Sequence, residues 1–298
     1  MTLAQAIIAT VHWFDQFSYP LTAQEIGRYL VKKEQSFTDH EFLAVLDSLV
    51  AGRQLASARG FYCLHGRESL VDERLNRNVA MEVKMRKVKF VCRILRYVPG
   101  LRLVAVCNGA GYFNGRPDSD VDIFIIVRQG NLWSVRALVT FILTVLSMRV
   151  RGEHAKDKLC LSFWMSDDNL SVERFALLDG DPYLAWWVSQ VYPMLDDGVY
   201  REWWIANQWI KEYIQQPMPV LPSQRYSVQP SLLMSFSWPH WLELFFRSLP
   251  IQKSLFLKRY KDRMKVHGSI VITDNVLKLH DNDRREFYRG NWRARLTL

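Results

Sequence analysis

CNGAGYFNGRPDSDVDIFIIV, residues 107–127, is the stretch on which the reading of this chain turns. Three aspartates, Asp118, Asp120 and Asp122, crowd ahead of a run as apolar as Ile123, Phe124, Ile125, Ile126 and Val127. Carboxylates at the mouth of a buried strand are costly unless a turn, an ion pair or a metal ion compensates them. Residues two apart on a strand point the same way and lie about 6.6–6.8 Å apart along it. Asp120 and Asp122 are therefore expected to share a face, with Val121, Ile123 and Ile125 directed into the core. Two carboxylates converging from one strand end can bridge divalent ions roughly 3.5–4 Å apart, an arrangement suited to phosphoryl chemistry. Upstream, Gly109 and Gly111 can bring backbone N–H groups against phosphate oxygens without side-chain obstruction. The plainer reading of Pro117-Asp118-Ser119 is a turn built from turn-forming residues.

Working outward, LRLVAVC (residues 101–107) is a second strand, NLWSVRALVTFILTVLSMR (131–149) a helix and KLCLSFWMS (158–166) a third strand. Strand, loop, strand, helix, strand predicts a small mixed sheet backed by helices. Strict alternation along 158–165 places Leu159, Leu161, Phe163 and Met165 on one face and Lys158, Cys160, Ser162 and Trp164 on the other.

These residues resemble the DNA polymerase beta-like nucleotidyltransferase superfamily. Its signature is an apolar strand, a Gly-Ser or Gly-Gly pair, a loop, and Asp-x-Asp between apolar residues. Here the pair is Gly109-Ala110, the loop is the nine residues 111–119, and the acidic motif is Asp120-Val121-Asp122. The resemblance implies transfer of a nucleoside monophosphate from an NTP, with ATP first among candidates, to a hydroxyl or phosphate acceptor. It assigns Asp120 and Asp122 to Mg²⁺ or Mn²⁺. Gly109, Ala110, Gly111, Arg116 and Ser119 are the expected nucleotide contacts. Two departures stand out. Ala110 replaces a Ser or Gly, which removes a hydroxyl. The third carboxylate expected on a later strand is missing from KLCLSFWM, leaving Asp118, Asp157 or Glu153 as candidates to complete the metal site.

Residues 1–70 resemble a winged helix-turn-helix. YPLTAQEI restarts a helix with Thr22 as cap and Glu25 closing a capping box; TDHEFLAVLDSLVAGRQL repeats the device with Thr38 and Glu41. LASARGFYCLHG then folds back at Arg59-Gly60. Such modules often dock their third helix on DNA, but Asp39, Glu41 and Asp47 give this one an acidic surface that suits a protein or a structural role equally well. Residues 71–98 form one long basic helix, either a solvated face or an anion-binding face beside the site. The whole chain also resembles bacterial proteins in which a winged helix precedes the nucleotidyltransferase domain.

The remainder, 181–298, is expected to be mainly helical. Asp181 caps and Pro182 opens a helix over DPYLAWWVSQVYPML. VYREWWIANQWIKEYI follows, residues 215–230 are a Pro/Gln/Ser-rich linker or long loop, and a final helix is expected near 241–266 ahead of a basic tail. The tryptophans Trp186, Trp187, Trp203, Trp204 and Trp209 belong to the core more naturally than to base stacking. Asp167-Asp168 and Asp196-Asp197 read as solvated loop charges, and His154, His267 and His280 as structural.

The 298 residues, 49% hydrophobic and 23% charged, describe a globular protein large enough for two or three domains. A net charge of +9 favours an anionic partner such as nucleic acid, nucleotide or acidic membrane. Cys63, Cys92, Cys107 and Cys160 are too scattered for a zinc site or a disulfide framework and are expected to be reduced thiols of a cytoplasmic protein. The apolar run 137–148 is too short to span a bilayer and is expected to be a buried helix. The aromatic, basic segment 232–261 could lie on a membrane surface, but packing against the chain is the simpler expectation. The fold class is therefore α+β: a winged helix over 1–70, a nucleotidyltransferase core over 71–180 and a helical region over 181–298. Two functions follow. One is a metal-dependent nucleotidyltransferase whose acceptor is RNA, a protein or a small molecule. The other is a winged-helix binding protein with a degenerate, nucleotide-sensing core. A partner-modifying half of a toxin–antitoxin-like pair is a third, more remote reading.

Overall fold

In the computed structural model, residues 1–150, 155–249, 270–279 and 283–296 are described. Elements are named in chain order: α1 (Leu3–Asp15), β1 (Leu21–Thr22), α2 (Ala23–Arg28), α3 (Asp39–Ala51), β2 (Leu55–Ala58), β3 (Phe61–Leu64), α4 (Leu70–Leu95), β4 (Leu101–Val106), α5 (Asn108–Gly111), β5 (Val121–Val127), α6 (Leu132–Val145), β6 (Leu159–Ser166), α7 (Pro182–Gln190), β7 (Tyr192–Asp196), α8 (Val199–Ala206), α9 (His240–Ser248), β8 (Val271–Ile272), β9 (Val276–Lys278) and α10 (Arg285–Leu296). The fold is α+β with mixed sheets.

The central sheet has the order β7-β4-β5-β6-β9-β8. Strand β5 is apolar without alternation because both of its faces are covered. Val121, Ile123, Ile125 and Val127 pack with Met85, Val88 and Cys92 of α4 and with Val135 and Val139 of α6. Phe124 and Ile126 pack on the other side with Leu184 and Val188 of α7 and Val199 and Trp203 of α8. β5 runs parallel to β6 through α6 and antiparallel to β4.

Several expectations for 181–298 are corrected here. The helix begun at Asp181 stops at Gln190, because Pro193 can neither donate a helical hydrogen bond nor let its predecessor stay helical. Residues 192–196 instead form β7, an edge strand paired to β4, where a proline is tolerated. With β8 and β9, this region adds three strands to the central sheet. Of the two readings of residues 215–230, the long loop holds and the free linker does not: Val228 donates to Met194 O at 2.8 Å, and Tyr226 and Val228 are buried against the sheet. The helix through 137–148 is only half buried, with Phe141 64% and Val145 65% exposed. Asp167, Asp168, Asp196 and Asp197 are all engaged: Arg102 pairs with Asp167 at 2.8 Å and Asp197 at 3.1 Å, Asn275 donates to Asp168, and Asp196 accepts from Tyr200 N. Trp186, Trp187, Trp203 and Trp204 are buried, as core packing requires. The end of the helix expected near 241–266, together with His154, His267 and His280, lies outside the described residues. No helix among the described residues is long and apolar enough to cross a membrane.

Residues 1–64 form three helices and a three-stranded antiparallel sheet of order β1-β3-β2. Both anticipated capping boxes are present, Thr22 with Glu25 and Thr38 with Glu41, and Thr2 with Gln5 forms another. The β2–β3 turn takes Arg59 at φ 52° and Gly60 at φ 80°, the geometry of a tight hairpin. The long helix α4 is not simply a solvated basic face. Arg74 grips Glu25 through two bonds of 2.7 and 2.8 Å and lies 4.0 Å over the Tyr19 ring; Arg77 donates to Asn114 at 2.7 Å; Lys84 donates to Ser119 O. These buried cations fasten the N-terminal unit and the 108–120 loop to the sheet. Across the other side, α10 is tied down by Arg285 to Asp181 at 2.6 Å, Arg295 to Asp15 at 3.1 Å and Trp292 Nε1 to Ala9 O at 2.8 Å.

The N-terminus of α6 is capped from a distance. The buried Glu243 of α9 accepts from Trp133 N at 2.7 Å, Ser134 N at 2.8 Å and the Ser134 hydroxyl. Glu243→Ala strands these donors in an apolar layer, so a loss of about 2–4 kcal/mol is expected, measurable as a fall in the denaturant midpoint.

Candidate active site

The acidic motif sits where β5 begins. Asp122 is the register partner of Cys160 on the parallel strand β6, and cross-strand partners lie on the same side of a sheet. One ligand atom from each of Asp120, Asp122 and Cys160 falls within 4.8 Å of the others. All three residues are partly exposed. The strand end is pinned by Cys107 N donating to Asp122 O at 3.0 Å, and the Asp122 carboxylate is oriented by Asn108 Nδ2 at 2.8 Å. Asn108 has φ 53°, a left-handed conformation that asparagine tolerates better than most side chains.

The register shifts just beyond, between the Asp122–Cys160 and Phe124–Phe163 pairs, so β6 spends one residue more than β5 there. Such a bulge resets the alternation of its strand. Leu159 and Trp164 consequently join the α4–α6 side, and Phe163 and Met165 the opposite side. The simple face assignment for 159–165 is corrected accordingly.

Burial, and then the charge of Asp122, hold the Asp120 carboxyl above its usual range. Burial does the same to Asp122, partly offset by hydrogen bonds from Asn108 and Cys160. The Cys160 thiol is pushed up to about 12 by burial and by the two carboxylates. This is a set of acidic groups lacking an adequate counter-charge, and its donors suit a divalent cation. Two carboxylates would supply oxygen ligands and Cys160 a softer third ligand, which shifts preference from Mg²⁺ toward Mn²⁺ or Zn²⁺.

The other anticipated metal ligands lie elsewhere. Asp157 is drawn off by Lys87 at 2.8 Å and Lys84 at 3.3 Å; burial acts upward on it, but the two lysines outweigh that and hold its carboxyl below the usual value. The Asp118 side chain is 76% exposed, with only Arg116 3.7 Å away. Glu153 lies outside the described residues. Among the described residues, a thiol stands at the position where a third carboxylate was expected.

The anticipated nucleotide contacts divide. Gly109 and Arg116 line a cavity of about 380 Å³ that also borders Asn108. Ala110 is 5% exposed and belongs to the α4–α6 core. Gly111 is also buried; a Cβ there would fall 2.5 Å from Gln190 O, so this glycine serves the close approach of α7. Ser119 spends its hydroxyl on Arg116 O at 2.9 Å and its carbonyl on Lys84. A smaller cavity of about 240 Å³, bordered by Phe163, Lys278 and Arg285, also touches Asn108. Asn108, Cys160 and the glutamines of the larger cavity carried no motif that a reading of spacing could detect. Comparison with family models, with curated proteins and with solved structures found no match.

The raised carboxyls make a testable signature. The folded metal-free chain holds these protons more tightly than the unfolded chain, so the pair costs stability increasingly as pH rises from the ordinary aspartate value through the raised one. Asp122→Asn is expected to melt higher than the parent at neutral pH without divalent ions. The gap should close toward pH 4, roughly the ordinary aspartate value. Thermal melts at several pH values check this; an unchanged gap at acid pH would contradict it.

Proposed function

We propose that this protein is a divalent-metal-dependent nucleotidyltransferase that moves a nucleoside monophosphate from an NTP to a hydroxyl-bearing acceptor. The observation that carries the reading is the meeting of Asp120, Asp122 and Cys160 within 4.8 Å, beside an asparagine whose neighbour Gly109 opens onto a cavity. Asp120, Asp122 and Cys160 would hold the ion, which when bound supplies charge neutralisation for the triphosphate and polarises the attacking oxygen. Asn108 keeps the Asp122 carboxylate aimed. Gly109 offers unobstructed backbone to phosphate oxygens, and Arg116, at the rim, offers positive charge where phosphates would lie. No third carboxylate joins the pair among the described residues, so one of the two must accept the acceptor's proton.

The N-terminal order α1-β1-α2-α3-β2-β3 supports a winged-helix reading of residues 1–70. The exposed Asp39, Glu41 and Asp47 on α3 favour a protein partner over a phosphate backbone. The replacement of a carboxylate by Cys160 favours a second reading, a nucleotide sensor without turnover.

Incubation with α-labelled ATP and Mn²⁺ or Mg²⁺ separates the two. Transfer of label, stronger with Mn²⁺ and reduced at least about a hundredfold in Asp120→Asn/Asp122→Asn, supports the enzyme. Binding without transfer supports the sensor. Asn108→Gly keeps the left-handed backbone but removes the amide that aims Asp122. It is expected to weaken Mn²⁺ binding by about 10–100-fold, as loss of an outer-shell partner does, read by titration calorimetry.

A further inference from the structure

The larger cavity has walls from two parts of the chain. Gln16, which ends α1, and Gln190, the last residue of α7, both border it, together with Tyr183, Trp187 and Tyr288. Gln190 is 6% exposed, and its carboxamide has no hydrogen-bond partner among the described residues. Gln16 is odder still: its amide nitrogen and oxygen are both buried, and neither is paired. Other interior amides of this protein are satisfied. Asn207 accepts from Val172 N and donates to Leu170 O and Trp203 O, and Asn114 links Arg77 to Phe17 O. Leaving a buried amide unpaired is costly; it is tolerated here at Gln16, while the unpaired carboxamide of Gln190 is not sealed from the cavity it borders.

We propose that this cavity binds the adenine base of a nucleotide and that Gln16 and Gln190 read the edges of that base. Placing the phosphates at Gly109 rests on the nucleotidyltransferase reading; base binding does not. A carboxamide presents a donor beside an acceptor. Adenine shows the complementary pair on both edges, its N6 amino group lying between acceptors N1 and N7, so two carboxamides can each bind it through two bonds. Guanine shows two acceptors on its N7 edge, and the pyrimidines lack a second such edge. Tyr183 and Tyr288, parallel within 14° at 5.7 Å, are partly exposed aromatic faces of the same cavity and provide stacking surface for a base. A volume near 380 Å³ lies in the range of small-ligand sites, roughly 300–1,000 Å³. Gly109 and Arg116 border the cavity together with Asn108, which bonds the Asp122 carboxylate, so the 5′-phosphate of the bound nucleoside would reach toward the carboxylates there. On this reading the N-terminal unit, through Gln16, selects the nucleotide.

The test is titration of the full chain with AMP, GMP, CMP and UMP in the absence of divalent ions, which separates base recognition from transfer. AMP is expected to bind about tenfold or more tightly than the others, with quenching of tryptophan fluorescence from Trp187. Gln190→Leu is expected to erase that preference. Gln16→Met removes an unpaired buried amide, so it is expected to raise the melting temperature while weakening AMP binding about tenfold. Equal affinity for the four nucleotides, no binding of any, or an AMP preference that survives in folded Gln190→Leu and Gln16→Met overturns the proposal. Should Gln190→Leu fail to fold, Gln16→Met and the wild-type preference decide it. AMP preference without label transfer would sink the enzyme reading and leave the pocket. Transfer from all four NTPs alike would sink the pocket and leave the enzyme.

Discussion

A strand buried on both faces whose first turn of chain carries two carboxylates is the constraint that shapes this molecule. β5 can satisfy its apolar run only in the middle of a sheet with helices above and below, which sets α4 and α6 on one side and α7 and α8 on the other. The same placement brings Asp120 and Asp122 to the sheet's rim, where burial raises the proton affinity of both and the charge of Asp122 raises that of Asp120 further. Asn108 moderates that conflict and Cys160 completes the cluster, but neither neutralises it. Lys84 and Lys87 of α4 are paired with Asp157.

Much of the chain's positive surplus has a structural use. Arg74, Arg77, Lys84, Arg102, Arg285 and Arg295 all bind acidic or carbonyl oxygens between elements distant in sequence. Breaking such partly buried pairs leaves an uncompensated charge, so they specify how the units dock more than they add net stability. The net charge of +9 is therefore a weaker signal of an anionic partner than composition suggests, and Arg116 at the cavity rim is better placed to meet a phosphate than most of the basic helix.

The cavity beside the carboxylates is an assembled feature. α1 brings Gln16, the loop after β4 brings Asn108 and Gly109, α7 brings Tyr183 and Gln190, and α10 brings Tyr288. Trp13 of α1 stacks on Trp186 of α7 at 4.5 Å, and Trp292 of α10 meets both edge-on. This aromatic joint holds three separate stretches of chain together around one space, so the geometry of the cavity depends on contacts far from the motif.

Local chemistry was legible in the amino-acid order. The capping boxes at Thr22 and Thr38, the hairpin at Arg59-Gly60, the long helix α4 and the buried strand β5 all follow from periodicity and short-range hydrogen bonding. What lay beyond reach depended on partners distant in sequence. Ala110 and Gly111 turn into the core because α7 packs on them; Asp157 leaves the site because α4 offers two lysines; the bulge in β6 sets which side each residue faces. Residues 192–196 extend because β4 presents an open edge, and the glutamines meet only once α1 docks on α7. Side-chain spacing within a segment is a local quantity; which segment faces it is settled by burial of the whole chain.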